Sequence, residues 1–189
     1  IMKIAILGDS FGVVKADNLF KSWPELLNDH FTIDNFCECG IGEYKILQQV
    51  KKIDYCIYDR VIITHTSPYR VYVKHHPIHS RSEYHKNCDI LLNDIQHRHD
   101  EFSHACKMYF KHIFDEHHAC DMHNLICKEI EDVVSDNTLH ITHFDYSDLY
   151  TFKNFTSFHS LWMKNKGPVN HYNKKGNQLV YQKVLEKLL

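Results

Sequence analysis

The chain has 189 residues, a length that fills one ordinary domain and buries about 70% of its unfolded surface, so it needs neither disulfides nor a metal to fold. A composition of 43% hydrophobic and 24% charged residues excludes wholesale disorder. The formal net charge of −2 excludes a basic nucleic-acid surface and a polybasic membrane patch.

Lys3 to Leu7 is a short apolar run that ends at Gly8 and reads as a buried strand. Ser22-Trp23-Pro24-Glu25 matches a capping box with proline in the first turn, and predicts a helix from Ser22 to about His30. Phe31 to Phe36 alternates enough for a second strand, followed by the tight loop Cys39-Gly40-Ile41-Gly42. Ile46, Leu47, Val50 and Ile53 keep helical spacing, which predicts a helix from Tyr44 to about Asp54. Val61-Ile62-Ile63, within Cys56 to Thr64, has the continuous apolar character of a strand covered on both faces. Pro68 to Ser82, rich in Tyr, His and Arg, reads as a surface excursion. Asp89 to about Val134 reads as helical, with Phe102, Cys106, Tyr109, Phe110, Ile113 and Phe114 on one face. A strand over Thr138 to Phe144 and a closing helix over Asn173 to Leu189 complete the chain.

Strands alternating with helices imply a parallel, doubly wound sheet, here a three-layer α/β/α sandwich with a flavodoxin-like sheet. No linker or repeat divides it, so residues 1–189 form a single domain with a helical insertion at about 69–134. The aromatic stripe of the insertion serves either as core or as the face of a homodimer. Seven cysteines without a small-domain spacing pattern read as buried apolar fillers in a reduced, cytoplasmic setting. The run Ile4 to Leu7 is too short for a signal peptide, and no stretch approaches the ~20 apolar residues that span a bilayer. Seventeen histidines predict pH-dependent solubility rather than a function.

In open parallel sheets ligands bind beyond the carboxyl ends of the strands. Four polar segments fall at such positions: Gly8-Asp9-Ser10, Asn35 to Gly42, Thr64 to Arg70, and Asn170-His171-Tyr172-Asn173. The opening Lys3-Ile4-Ala5-Ile6-Leu7-Gly8-Asp9-Ser10-Phe11-Gly12 resembles the first block of SGNH (GDSL-type) hydrolases, an apolar strand followed by Gly-Asp-Ser. Asn35 with Gly40 resembles the second block, in which a glycine NH serves the oxyanion hole. His171-Tyr172-Asn173-Lys174-Lys175-Gly176 resembles the last block, and the order of serine before histidine also fits. Two positions depart from the family pattern. Pro168 stands where the family usually has an aspartate three residues before the histidine. Thr66 and Ser67 stand near the point where it usually has an asparagine.

The resemblance implies a serine esterase that needs no cofactor or metal and cleaves a small or carbohydrate-linked acyl ester. Ser10 is the expected nucleophile and His171 its base. The NH groups of Ser10 and Gly40, with Thr66 or Ser67, are the expected oxyanion hole. Arg70 at the mouth suits an anionic substrate group. Asp9 belongs either to substrate binding or, through its own backbone hydrogen bonds, to the turn. The missing aspartate leaves a backbone carbonyl, Asp145 or Asp148 to orient His171. The same departures fit a catalytically degenerate ligand-binding protein, and an O-acyltransferase would use the same residues. The cluster His117, His118, Cys120 and His123 lacks the paired spacing of a metal site and is an expected product of histidine abundance.

Overall fold

A computed structural model describes residues 1–14, 20–168 and 171–189. Asn170 of the last polar segment lies outside them. Five strands, β1 (Lys3–Gly8), β2 (Thr32–Asn35), β3 (Arg60–His65), β4 (Thr138–Thr142) and β5 (Phe155–Ser157), form one sheet in the order β2-β1-β3-β4-β5. Every neighbouring pair is parallel. This is the flavodoxin-like strand order.

Side-chain alternation along each strand builds two cores. Ile4 and Ile6 of β1, Ile62 of β3, and Leu139 and Ile141 of β4 face one side. They pack against Trp23 and Leu27 of α1 (Trp23–Leu27) and Val180, Val184 and Leu188 of α7 (Lys174–Leu188). Ala5, Leu7, Val61 and Ile63 face the other side. There they meet Ile46, Leu47 and Val50 of α2 (Glu43–Val50) and Cys127 and Ile130 of α5 (Glu116–Val133). Burial on both faces is why β1 and β3 are apolar at successive positions and do not alternate.

The first helix is shorter than its sequence signal. Its N-terminus follows the capping pattern, with the Ser22 amide donating to Glu25 Oε2 at 2.7 Å. It ends at Leu27, and residues 28–30 turn back into β2. The segment between β3 and β4 carries three helices, α3 (Leu92–Ile95), α4 (Glu101–His112) and α5. An antiparallel bridge between Val71 and Ile90 closes its first loop. The last of the three, α5, lies on the sheet beside α2 as the crossover to β4.

The aromatic stripe does not stay on one face. Phe102, Cys106 and Phe110, four residues apart, turn inward onto Ile90 and Ile95, whereas Ile113 is 70% exposed. Two elements lacked a sequence signal: β5 and α6 (His159–Lys164) have three and six residues, too few to establish a period. Among the described residues, no helix is long and apolar enough to cross a membrane.

Candidate active site

The sheet order reverses direction between β1 and β3: the chain leaves β1 towards β2 on one side and leaves β3 towards β4 on the other. Loops diverging from such a point leave a crevice beyond the strand ends. A cleft of about 850 Å³ opens there, lined among others by Ser10, Gly40, Ser67, Arg70, Asp145 and His171.

Ser10 reaches the cleft because β1 ends in a glycine. Gly8 has φ +123°, and a Cβ on it would lie 2.1 Å from the Thr64 carbonyl oxygen, so only glycine lets the two strand ends run this close. The Asp9 amide then donates to the Thr64 carbonyl (3.2 Å) and to Thr64 Oγ1 (2.9 Å). The Asp9 carboxylate caps the short 3-10 turn Ser10–Gly12 by accepting from the Phe11 amide at 3.1 Å and from the Thr64 hydroxyl at 3.1 Å. Asp9 is 2% exposed and does not line the cleft, so its place is behind Ser10 and not against a substrate. Burial pushes its carboxyl up to about 7, against the Phe11 amide bond and the Arg70 charge, which hold it down.

The glycine loop is clamped by the segment that follows β3. Gly40 has φ +69°. Its carbonyl accepts from Arg70 Nη1 at 3.0 Å and from the Asp89 amide at 2.9 Å. The Gly42 amide donates to Asp89 Oδ2 at 2.6 Å. The preceding carbonyl, of Cys39, accepts from the Cys88 thiol at 3.1 Å. Across a trans peptide the N–H points opposite to the C=O, so this bond also sets the direction of the Gly40 N–H. Among the described residues, neither the Ser10 amide nor the Gly40 amide has an intramolecular acceptor. Two unbonded N–H groups on residues lining one cleft are free to donate to a bound acceptor.

The third loop separates the two hydroxyl candidates. Ser67 lines the cleft and accepts from the Tyr69 amide at 3.3 Å. Thr66 is fully buried and does not line the cleft. Its amide donates to Glu43 Oε2 at 3.2 Å, and its carbonyl accepts from the Tyr146 hydroxyl at 2.7 Å. Arg70 is at the cleft wall with one guanidinium nitrogen committed to Gly40.

His171 arrives immediately before α7. Its amide donates to the Pro168 carbonyl at 3.1 Å and its carbonyl accepts from the Gly167 amide at 2.6 Å, so Pro168 closes the turn that presents the histidine. Two residues on, the Asn173 side chain caps α7 by accepting from the Gly176 amide at 2.8 Å. The His171 ring centroid lies 5.1 Å from that of Phe11. Asp145 and Asp148 both line the cleft. Asp145 accepts from the Ser147 amide at 3.1 Å, a bond that lowers its pKa.

Behind these groups is His143, which the sequence reading did not single out. It is fully buried, stacks on Phe11 with ring centroids 4.4 Å apart, and bonds through Nδ1 to the Tyr172 hydroxyl at 2.7 Å. Burial, with a smaller contribution from the His171 charge, lowers its pKa to about 3, so it stays neutral. His143 thus braces the neighbour of Ser10 against the neighbour of His171. Only the strand end it follows could have marked it, and a histidine there has no periodic signature. His117, His118, Cys120 and His123 are not gathered into one cluster: the first two are exposed on α5, Cys120 lines the cleft, and His123 is buried. No protein-family model matches the chain, and no curated protein matches it.

Proposed function

We propose that the protein is a serine ester hydrolase of the SGNH type, acting on a small or carbohydrate-linked acyl ester. One observation carries the reading. Ser10, Gly40, Ser67 and His171 come from four separate segments, and all line one cleft at the reversal point of the sheet. The two unbonded amides of Ser10 and Gly40 and the resemblance of the three sequence blocks support it further.

In this reading His171 takes the proton of the Ser10 hydroxyl as the serine oxygen attacks the ester carbonyl. The amides of Ser10 and Gly40 hold the developing oxyanion, with the Ser67 hydroxyl as a third donor. His171 then gives its proton to the leaving alcohol. It next activates a water molecule that releases the acyl group from Ser10. Asp9 and His143 touch neither substrate nor reacting atoms; they fix the turn under Ser10 and the packing between Phe11 and Tyr172.

The test is hydrolysis of short-chain p-nitrophenyl esters by the full chain and by Ser10→Ala. Turnover is expected to vanish in the variant while the thermal melt stays within about 0.5 kcal/mol of the parent, as for a substitution outside the core. Undiminished turnover in the variant contradicts the proposal. Pro168 in the place of the usual aspartate, and Thr66 buried outside the cleft lining, favour a second reading in which the cleft binds an acylated ligand without cleaving it. That reading predicts saturable ligand binding with no turnover by the parent.

A further inference from the structure

On the opposite side of β3 from Ile62, beneath the cleft, lies a polar cluster that the proposed reaction does not use. Glu43 begins α2, His65 ends β3, and Cys127 sits on α5. All three are buried, and one donor atom from each lies within 4.8 Å of the other two. We infer that Glu43, His65 and Cys127 form a buried site for a divalent transition-metal ion, zinc by the chemistry of the donors.

Thiolate, imidazole and carboxylate together are a zinc donor set, whereas calcium and magnesium would call for oxygens alone. Charge supports the same assignment. A dication held by one thiolate and one carboxylate leaves no net charge in an interior where an uncompensated ion is costly. The outer partner of the imidazole is already present: His65 Nε2 is hydrogen-bonded to His140 Nδ1 at 2.9 Å, as ligating histidines are commonly oriented. A buried imidazole with a spare nitrogen lies on the same helix as Cys127. His123 stands four residues before Cys127 on the same face of α5. It is 3% exposed, bonds through Nε2 to the Tyr146 hydroxyl at 2.7 Å, and leaves Nδ1 buried without a hydrogen-bond partner. Tyr146, the partner of its Nε2, has its ring centroid 6.4 Å from that of His65, which puts the two histidines in one neighbourhood.

Without the ion, a 2.5 Å hydrogen bond joins His65 Nδ1 to Glu43 Oε1. Binding opens that contact. The Cys127 S–H bond breaks, the sulfur keeps the electron pair for the metal, and its proton, with any proton held by Glu43, leaves to solvent. His65 keeps one proton, now on Nε2 and donated to His140 Nδ1, while His140 carries its own on Nε2. The site does not line the cleft, so the ion would act by tying together α2, the end of β3 and α5 under the Gly40 and Ser67 loops. The inference does not rest on the esterase reading.

The test is titration of Co²⁺ into the full chain after chelator treatment, followed by absorbance. The expected result is a thiolate-to-cobalt charge-transfer band that saturates at one ion per chain and is displaced by Zn²⁺. Cys127→Ser is expected to lose the band, and His140→Ala to keep it with affinity weakened about 10- to 100-fold. Should Cys127→Ser fail to fold, the wild-type band still decides, with the exposed His118→Ala as its control. Absence of the band at saturating Co²⁺ in folded wild-type protein overturns the inference, as does a band lost in His118→Ala.

Discussion

At the scale of single residues, Gly40 is the position on which the proposed chemistry leans hardest. It sits at φ +69°, and a Cβ added there would lie 2.5 Å from Cys88 Sγ. Gly40→Ala therefore meets both a left-handed backbone cost of about 1–2 kcal/mol and a contact with the thiol that fixes the loop. The expected outcome is a lower urea midpoint and a kcat reduced by about 100-fold with KM little changed, the signature of a displaced oxyanion donor. Equal falls in kcat and rises in KM would argue that the loop binds substrate and does not stabilise the oxyanion. Ser10, Gly40 and His171 stand out in the sequence as candidates because each lies in a block that resembles one of the SGNH family, and the fold brings all three to the lining of one cleft. His143, Glu43 and His65 do not stand out in this way. Their roles come from burial and from partners 22 to 75 residues away, and no local spacing encodes such partners.

At the scale of elements, one ion pair joins the segment after β3 to the first turn of α2, next to the glycine loop. Lys45 Nζ lies 2.6 Å from Asp89 Oδ1, with side chains 12% and 1% exposed. The same carboxylate accepts from the Gly42 and Val73 amides. Removing one partner of such a pair leaves a buried charge uncompensated. Asp89→Ala is expected to cost about 3–5 kcal/mol in urea unfolding and to raise hydrogen exchange at the Gly42 amide. Lys51 and Glu129, half exposed between α2 and α5, are the contrast: Glu129→Ala is expected to change stability by about 0–1 kcal/mol. Loss of equal size in the two variants would refute the idea that burial, and not pairing as such, makes the Asp89 contact count. The strong sequence signals of β1, β3, β4 and α7 mark the elements that are longest or buried on both faces. The three-residue β5 and six-residue α6 are held by their neighbours in the sheet and against α7, so their own sequences carry little of the information.

At the scale of the whole molecule, buried histidines set the response to acid. Burial pushes the pKa values of His65, His76, His123, His140 and His143 down, to about 3 for His65 and His143. These groups bind protons in the unfolded chain before the folded one, so their contribution is present above about 6.5 and is lost as pH falls below it. Asp9 and Glu43 work in the opposite sense. Burial raises both to about 7, so the folded state holds their protons from about pH 4 to 7 and gains stability on acidification across that window. Five histidines outweigh two carboxylates. For the metal-free, chelator-treated chain, stability should fall below pH 6.5 by about 1.4 kcal/mol per pH unit for each net proton taken up on unfolding, read from urea midpoints between about pH 7.5 and 5. Rising stability over that range would mean that the histidines are charged in the folded state.

The central claim is that Ser10 is activated by His171. The most direct measurement is reaction of the full chain with a fluorophosphonate probe, with the adduct located by mass spectrometry and His171→Ala treated in parallel. The expected result is an adduct on Ser10 that is lost in the His171 variant. A folded parent protein that forms no adduct, or one that labels equally well without His171, contradicts it.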